Sequence, residues 1–211
     1  SYRGPGRRDG RRIFERIRDK AGVGLQSDVH SIEDVNDFKD VLDVMQIPAF
    51  LCRQTDLVLA AAETGRTVNI KKGQFLAPWD VRNIIDKITS TGNRNIIITE
   101  RGTSFGYNNL VVDFKGLPII RQFGYPVCFD ATHSVQLPGG AGTSSGGQRE
   151  FVPHLVRAAV AVGVDALFME VHEDPDNALS DGPNMVTPED LYTVLQHAKM
   201  LDKIVKKKML V

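Results

Sequence analysis

The chain is predicted to be an α/β protein: a parallel (β/α)8 barrel whose first two βα units are absent from its 211 residues. Three observations predict this. Short β-rich runs alternate with helical patterns along the whole chain, the signature of βαβ units around a parallel sheet. Four consecutive runs carry charged residues at or just past their carboxyl ends. These are Val68–Lys71 with Lys71-Lys72-Gly73, Ile96-Ile97-Ile98 with Thr99-Glu100-Arg101-Gly102, Val127–Asp130 with His133, and Leu167-Phe168-Met169 with Glu170 and His172. Barrel enzymes place their chemistry at that end of the strands. Finally, only six runs are present where a closed barrel needs eight, and two further units amount to about 60 residues. A doubly wound open sheet is the alternative and needs no missing piece, although no G-x-G-x-x-G follows the first strand. Residues 1–211 are taken as a single barrel domain lacking its front part.

The expected strands are Val23–Asp28, Val44–Pro48, Thr67–Lys71, Asn95–Thr99, Pro126–Asp130 and Ala166–Val171. Helices fill the gaps. Arg7–Lys20 places Ile13, Phe14 and Ile17 on one face. Ser31 and Asp34 form a capping pair ahead of Val35 and Phe38. Thr55–Thr64 and Pro78–Thr91 are closed by Gly65 and Gly92, and Arg149–Val162 by Gly163, where a left-handed residue is expected. Thr187-Pro188-Glu189-Asp190 opens the last helix with proline in its first turn, and Lys206-Lys207-Lys208 reads as its solvated end. The segment Leu137–Gln148 holds five glycines and suits a lid over a bound substrate rather than core. The start, Ser1-Tyr2-Arg3-Gly4, is loop-like and reads as a chain cut at its front.

Bulk properties exclude several function classes. Formal net charge is zero and hydrophobic residues make up 42%, so no nucleic-acid surface is expected. No apolar run approaches the roughly 20 residues of a membrane span. Cys52 and Cys128 both lie in apolar contexts, which argues for packed thiols, not a disulfide framework, and fits a reducing cytoplasm.

The charged strand ends are candidates for anion and metal binding. Adjacent Lys71 and Lys72 point to opposite faces of a strand, so one is expected inside, where a bound anion would offset its burial, and the other in solvent. Arg101 suits phosphate or carboxylate recognition through its planar fork, with a buried pair to Glu100 as the plainer alternative. His133, Glu170 and Asp181 are donors suited to a divalent cation, although His133 alone would read as a satisfied histidine in a second layer. Phe75 and Trp79 are expected to pack. His154 and His197 are expected at the surface.

Longer runs are more specific. Gln46–Asp56 (QIPAFLCRQTD), Asn69–Trp79 (NIKKGQFLAPW), Thr99–Asp113 (TERGTSFGYNNLVVD), Phe129–Gly140 (FDATHSVQLPGG), Ser144–Pro153 (SSGGQREFVP) and Phe168–Met185 (FMEVHEDPDNALSDGPNM) span nearly the whole chain. Together they closely resemble the 3-deoxy-D-manno-octulosonate 8-phosphate synthase family, a relative of the type I DAHP synthases. The resemblance implies a (β/α)8 barrel, a cytoplasmic homotetramer, and condensation of phosphoenolpyruvate with arabinose 5-phosphate. It implies that Lys71 and Arg101 hold the phosphoenolpyruvate anions, with Gln74 and the backbone at Ala49 and Phe50. Asp28 and Gln136 would contact the sugar-phosphate hydroxyls, and His133 would lie beside the reacting carbons.

The resemblance also implies a choice between metal-dependent and metal-free forms. In the former a divalent metal ion is held by a cysteine near the amino terminus and by residues matching His133, Glu170 and Asp181. Ala178-Leu179-Ser180-Asp181 and Ser134-Val135-Gln136-Leu137-Pro138 resemble the metal-dependent branch, while the deciding cysteine falls ahead of Ser1. Two alternatives stay open: a sister condensing enzyme of the DAHP or sialic-acid synthase type, and a non-catalytic barrel fragment.

Overall fold

The computed structural model describes residues 4–140 and 145–208. Ser1-Tyr2-Arg3, Ala141–Ser144 within the expected lid, and the side chains of Lys207 and Lys208 lie outside the described residues. The fold is α/β with parallel strands, consistent with a barrel of the triosephosphate isomerase type. Two compact units divide the chain: one runs to Gly73 and includes Trp79–Ile98, the other comprises Gln74–Pro78 and everything from Thr99.

In the first unit the order of elements is α1 (Arg7–Ala21), β1 (Gln26–Asp28), α2 (Ile32–Phe38), β2 (Val44–Ile47), α3 (Thr55–Glu63), β3 (Thr67–Lys71), α4 (Val81–Ser90) and the start of β4 (Ile96–Glu100). The sheet order is β1-β2-β3-β4. β1 and β2 pair in parallel with Asp28 opposite Gln46, and β2 and β3 with Gln46 opposite Asn69. Each connection crosses through a helix, as parallel pairing requires. Helix α4 buries Val81, Ile84, Ile85 and Ile88, the spacing of one helical face. That stripe and Val68, Ile70, Met45 and Ile47 are core residues exposed by 5% or less, each contributing about 1.5–3 kcal/mol through burial. Helix α2 starts as expected: Ser31 Oγ accepts from Asp34 N at 3.2 Å, and Asp34 Oδ2 accepts from His30 N at 3.0 Å. Gly65 and Gly92 close α3 and α4 with φ of 72° and 87°.

The first unit also departs from expectation. Helix α1 buries none of its residues, and Ile13 and Ile17 stay exposed. Phe14 alone finds an aromatic partner, edge-on to Phe38 at 6.3 Å. One of Lys71 and Lys72 was expected in solvent, yet both are buried; Lys72 is one of the largest fully buried side chains, and its Nζ donates to Gly73 O at 3.3 Å. A carbonyl and its other polar neighbours replace water there, so the alternation argument fails where a strand runs into a covered turn. Trp79, expected to pack, is 62% exposed. An aromatic ring is not buried by size alone; the short turn Pro78–Asp80 carries it outward.

In the second unit β4 ends at Glu100 and is followed by β5 (Thr103–Ser104), β6 (Leu110–Val111), α5 (Gly116–Arg121), β7 (Val127–Asp130), β8 (Gln136–Leu137), β9 (Gly146–Gly147), α6 (Val152–Val162), β10 (Ala166–Phe168) and α7 (Pro188–Lys208). The sheet order is β4-β7-β10, with β7 and β10 parallel and Asp130 opposite Phe168. All four residues of β7 are buried, as a strand covered on both faces must be. Helix α6 packs on α7; α6 buries Val152, Val156, Ala159 and Val160, and α7 buries Val194 and Ala198. Two antiparallel hairpins, β5–β6 and β8–β9, decorate the loops. Strands of two residues leave no periodic signal, and α5 is hidden by its glycine and proline. Phe75, expected to pack, is exposed. His154 and His197 are exposed as expected, and Cys52 and Cys128 are buried free thiols.

Candidate active site

The second unit gathers a metal-type cluster. His133 sits in the 3-10 turn just after β7, Glu170 two residues beyond β10, and Asp181 in the loop that follows. One ligand atom from each lies within 4.8 Å of the others. Strand pairing of β7 with β10 brings the first two together. Asp181 joins them from a left-handed backbone, φ 50°, as it opens the turn Gly182–Asn184. Aspartate tolerates that region better than most residues. Imidazole plus two carboxylates is a borderline-to-hard donor set that fits a divalent cation.

The turn that carries His133 is tied down internally. Asp130 Oδ1 accepts from His133 N at 2.9 Å and from Thr132 Oγ1 at 3.1 Å, and Ser134 Oγ donates to Asp130 O at 2.6 Å. His133 Nδ1 lies 2.7 Å from Asp130 Oδ2, while Nε2 faces Glu170 Oε1 at 3.7 Å. Neither Asp130 nor Thr132 has any exposed surface.

Beside the cluster stands Arg101, 3% exposed. Glu100 Oε1 accepts from Arg101 N at 2.9 Å and Gly102 N at 2.7 Å, fixing the turn out of β4. The guanidinium instead donates to Gln136 Oε1 at 2.9 Å. Gln136 Nε2 donates to Asp181 Oδ1 at 2.7 Å, so one amide links the cation to a cluster carboxylate. Burial pulls the Arg101 guanidinium below its usual range, opposed by the charges of Asp130, Glu100, Asp181 and Glu170. It remains a cation at any ordinary pH. Gln74 is 6% exposed, and its Oε1 has no hydrogen-bond partner among the described residues. A buried amide oxygen left so is a place for a donor from elsewhere.

The loop around Asp181 is closely packed. A Cβ on Gly147 would lie 1.7 Å from Asn184 Oδ1, and one on Gly182 would lie 2.2 Å from Pro175 O. Only glycine fits at either position. Arg149 Nη2 donates to Asp176 Oδ1 at 2.6 Å and Gly182 O at 3.1 Å, securing the same loop.

In the first unit, Asp28 ends β1, Ala49 and Phe50 follow β2, and Lys71 ends β3. Parallel pairing puts all four at the carboxyl ends of their strands. Lys71 is 6% exposed and Ala49 7%, whereas Phe50 is 76% exposed. Asp28 Oδ1 accepts from Gln46 Nε2 at 2.6 Å, and Gln46 Oε1 accepts from Asn69 Nδ2 and Gln26 Nε2 at 3.0 Å each. Gln46 and Asn69 were not singled out in the sequence. Their signal was present, since polar residues within apolar strands are costly without partners.

These features define the class: a parallel α/β protein with an imidazole–carboxylate cluster of a kind that could hold a metal ion, beside a buried guanidinium. The DAHP synthetase I family matches residues 1–207, and the chain belongs to that family. It is 65% identical over 206 residues to the 2-dehydro-3-deoxyphosphooctonate aldolase of Geotalea daltonii, covering 98% of this chain and 76% of that protein. Proteins of the same name from Trichlorobacter lovleyi and Geobacter sulfurreducens are each 61% identical, with the same coverage.

Proposed function

We propose that the chain is a 3-deoxy-D-manno-octulosonate 8-phosphate synthase, an enzyme joining phosphoenolpyruvate to arabinose 5-phosphate with release of phosphate. Its relatives' name describes the same phosphorylated eight-carbon keto acid. The observation that carries this is identity of 61% or more over 98% of the chain to proteins of that name. The expected strand-end residues accompany it, with His133, Glu170 and Asp181 clustered.

In this reaction carbon 3 of phosphoenolpyruvate attacks the sugar aldehyde. Water adds at carbon 2, and phosphate departs with cleavage of its C–O bond. Both substrates are anions that repel one another, so fixed cations must offset their charge. We assign that task to Lys71 and Arg101, with Gln74 and the backbone at Ala49 and Phe50 as further phosphoenolpyruvate contacts. Arg101 is held ready by Glu100 and Gln136, so little reorganisation is needed when charge develops. Asp28 and Gln136 would take sugar hydroxyls. The donor set of His133, Glu170 and Asp181 fits a divalent metal ion, which when bound supplies a template for the aldehyde and activation of water. His133 Nε2, which faces Glu170 Oε1 at 3.7 Å, would be its imidazole ligand.

We further propose a cytoplasmic homotetramer of single-domain barrels. No helix among the described residues is long and apolar enough to cross a membrane. Coupled assay of the full-length protein tests the main reading: one phosphate should be released per condensation with arabinose 5-phosphate. Turnover of erythrose 4-phosphate or N-acetylmannosamine in its place would reassign the substrate. No product with any of the three would overturn the reading.

A further inference from the structure

Asn69 and Gln46 hold amides deep in the sheet of the first unit, where a polar group is costly without partners. Gln46 is 4% exposed and Asn69 2%. Each stands between two apolar neighbours with no exposed surface, Met45 and Ile47 in one case, Val68 and Ile70 in the other. Strand register sets them in a row with an acid: Asp28 on β1 is opposite Gln46 on β2, which is opposite Asn69 on β3. Hydrogen bonds join the row. Asn69 Nδ2 donates to Gln46 Oε1 at 3.0 Å and to Gln26 Oε1 at 3.4 Å. Gln26 Nε2 donates to Gln46 Oε1 at 3.0 Å, and Gln46 Nε2 donates to Asp28 Oδ1 at 2.6 Å.

Every donor in this row points the same way, and one group fixes the direction. A carboxylate accepts hydrogen bonds, so Gln46 must turn its NH2 toward Asp28. Its Oε1 then faces back, and Asn69 and Gln26 must each offer it an NH2. Asn69 heads the row, since it donates to both glutamines. A row that only satisfied itself could end inside the core, whereas this one ends on an exposed carboxylate at the carboxyl end of β1. Among the described residues Asp28 Oδ2 takes no hydrogen bond. We infer that Asn69 is a positioning residue for the sugar site: acting through Gln46, it holds Asp28 by Oδ1 and leaves Oδ2 to accept from a substrate hydroxyl. The inference rests on the reading of Asp28 as a sugar contact and gives that contact a polarity, with the hydroxyl as donor.

Steady-state kinetics of the full-length protein tests it. Asn69→Leu removes both N–H donors at nearly the same size, and Gln46→Met breaks the row one step nearer Asp28. Either should raise the KM for arabinose 5-phosphate roughly tenfold, while kcat and the KM for phosphoenolpyruvate move less than about twofold. Lys71 lies two residues beyond Asn69 on the same face of β3. General damage to that strand would therefore appear in the phosphoenolpyruvate KM, and that result overturns the role. In an Asp28→Ala background the effect of Asn69→Leu should vanish, because residues acting through one group are not additive. An equal KM rise in both backgrounds also overturns it. A neutron structure of the native protein needs no variant to fold: Gln46 should carry its deuterons toward Asp28, and Asn69 its own toward Gln46. The reverse order overturns the inference. Native protein that does not turn over arabinose 5-phosphate overturns the substrate reading and the role with it, whereas native turnover with an unmoved KM in both variants removes the role alone.

Discussion

Arg101 donates to a neutral amide although the charges of four carboxylates act on it. Among the described residues its charge is therefore not consumed by a tight ion pair, which suits a residue meant to meet an incoming anion. A lysine there would retain the charge and lose the fork that can bind an anion while holding Gln136. Arg101→Lys should lower kcat/KM for phosphoenolpyruvate by roughly 10–100-fold, about 1.4–2.8 kcal/mol, mostly through KM. Steady-state kinetics with saturating sugar phosphate measures it, and a change below about twofold would remove Arg101 from the anion site. Arg101 was legible from its place after an apolar strand. Asp130 was not, because its place depends on which donors surround it, and the bonds from Thr132 Oγ1 and His133 N form only once the turn through those residues closes.

Helix α2 shows what a cap controls. Its hydroxyl cap and the acid three residues on were readable as letters; the hydroxyl bond forms, while the Asp34 carboxylate takes the N–H of His30, one residue ahead of the cap. Removing the cap in Ser31→Ala should cost about 1 kcal/mol, measurable as a lower urea midpoint at unchanged slope. Asp34 adds a pH dependence. Its partial burial alone would raise the carboxyl pKa, but the His30 N–H and the Arg7 guanidinium outweigh that and hold it below the ordinary aspartate range. A lowered folded-state value means stability present above the unfolded-state pKa and lost as pH falls through the folded one. Denaturant midpoints should therefore fall on acidification below about pH 4, and less so in Asp34→Asn. An equal fall in both proteins would show that Asp34 does not contribute. The hairpins β5–β6 and β8–β9 and helix α5 illustrate the opposite case: too short, or too rich in glycine and proline, to announce themselves locally.

For the whole molecule, a cation held by His133, Glu170 and Asp181 would bind the folded chain and not the unfolded one, where those residues are far apart in sequence. Ligand at about 100 times its Kd stabilises by about 2.7 kcal/mol, or about 5–10 °C in a chain of this size. Chelator should lower the thermal midpoint of the metal-loaded full-length protein by that much, and zinc should restore it. An unchanged midpoint would count against a metal-binding cluster. The fold that builds this cluster was legible in outline from alternating apolar runs and glycine stops. Element ends were less so: β10 stops at Phe168, short of Glu170, because pairing with β7 ends there.

Local chemistry is written in neighbouring residues, so the chain's letters alone determined the α/β class, the helix stops at Gly65, Gly92 and Gly163, and the candidate acids, imidazole and guanidinium. Partner choice is not local. Only the tertiary structure decided that Lys72 is buried, that Trp79 and Phe75 are exposed, that Gln136 joins Arg101 to Asp181, and that the Asp130 carboxylate takes the His133 backbone N–H. The reason is physical: the cost of burying a polar group depends on which donors and acceptors meet it, and residues distant in sequence supply those partners only after the strands have paired.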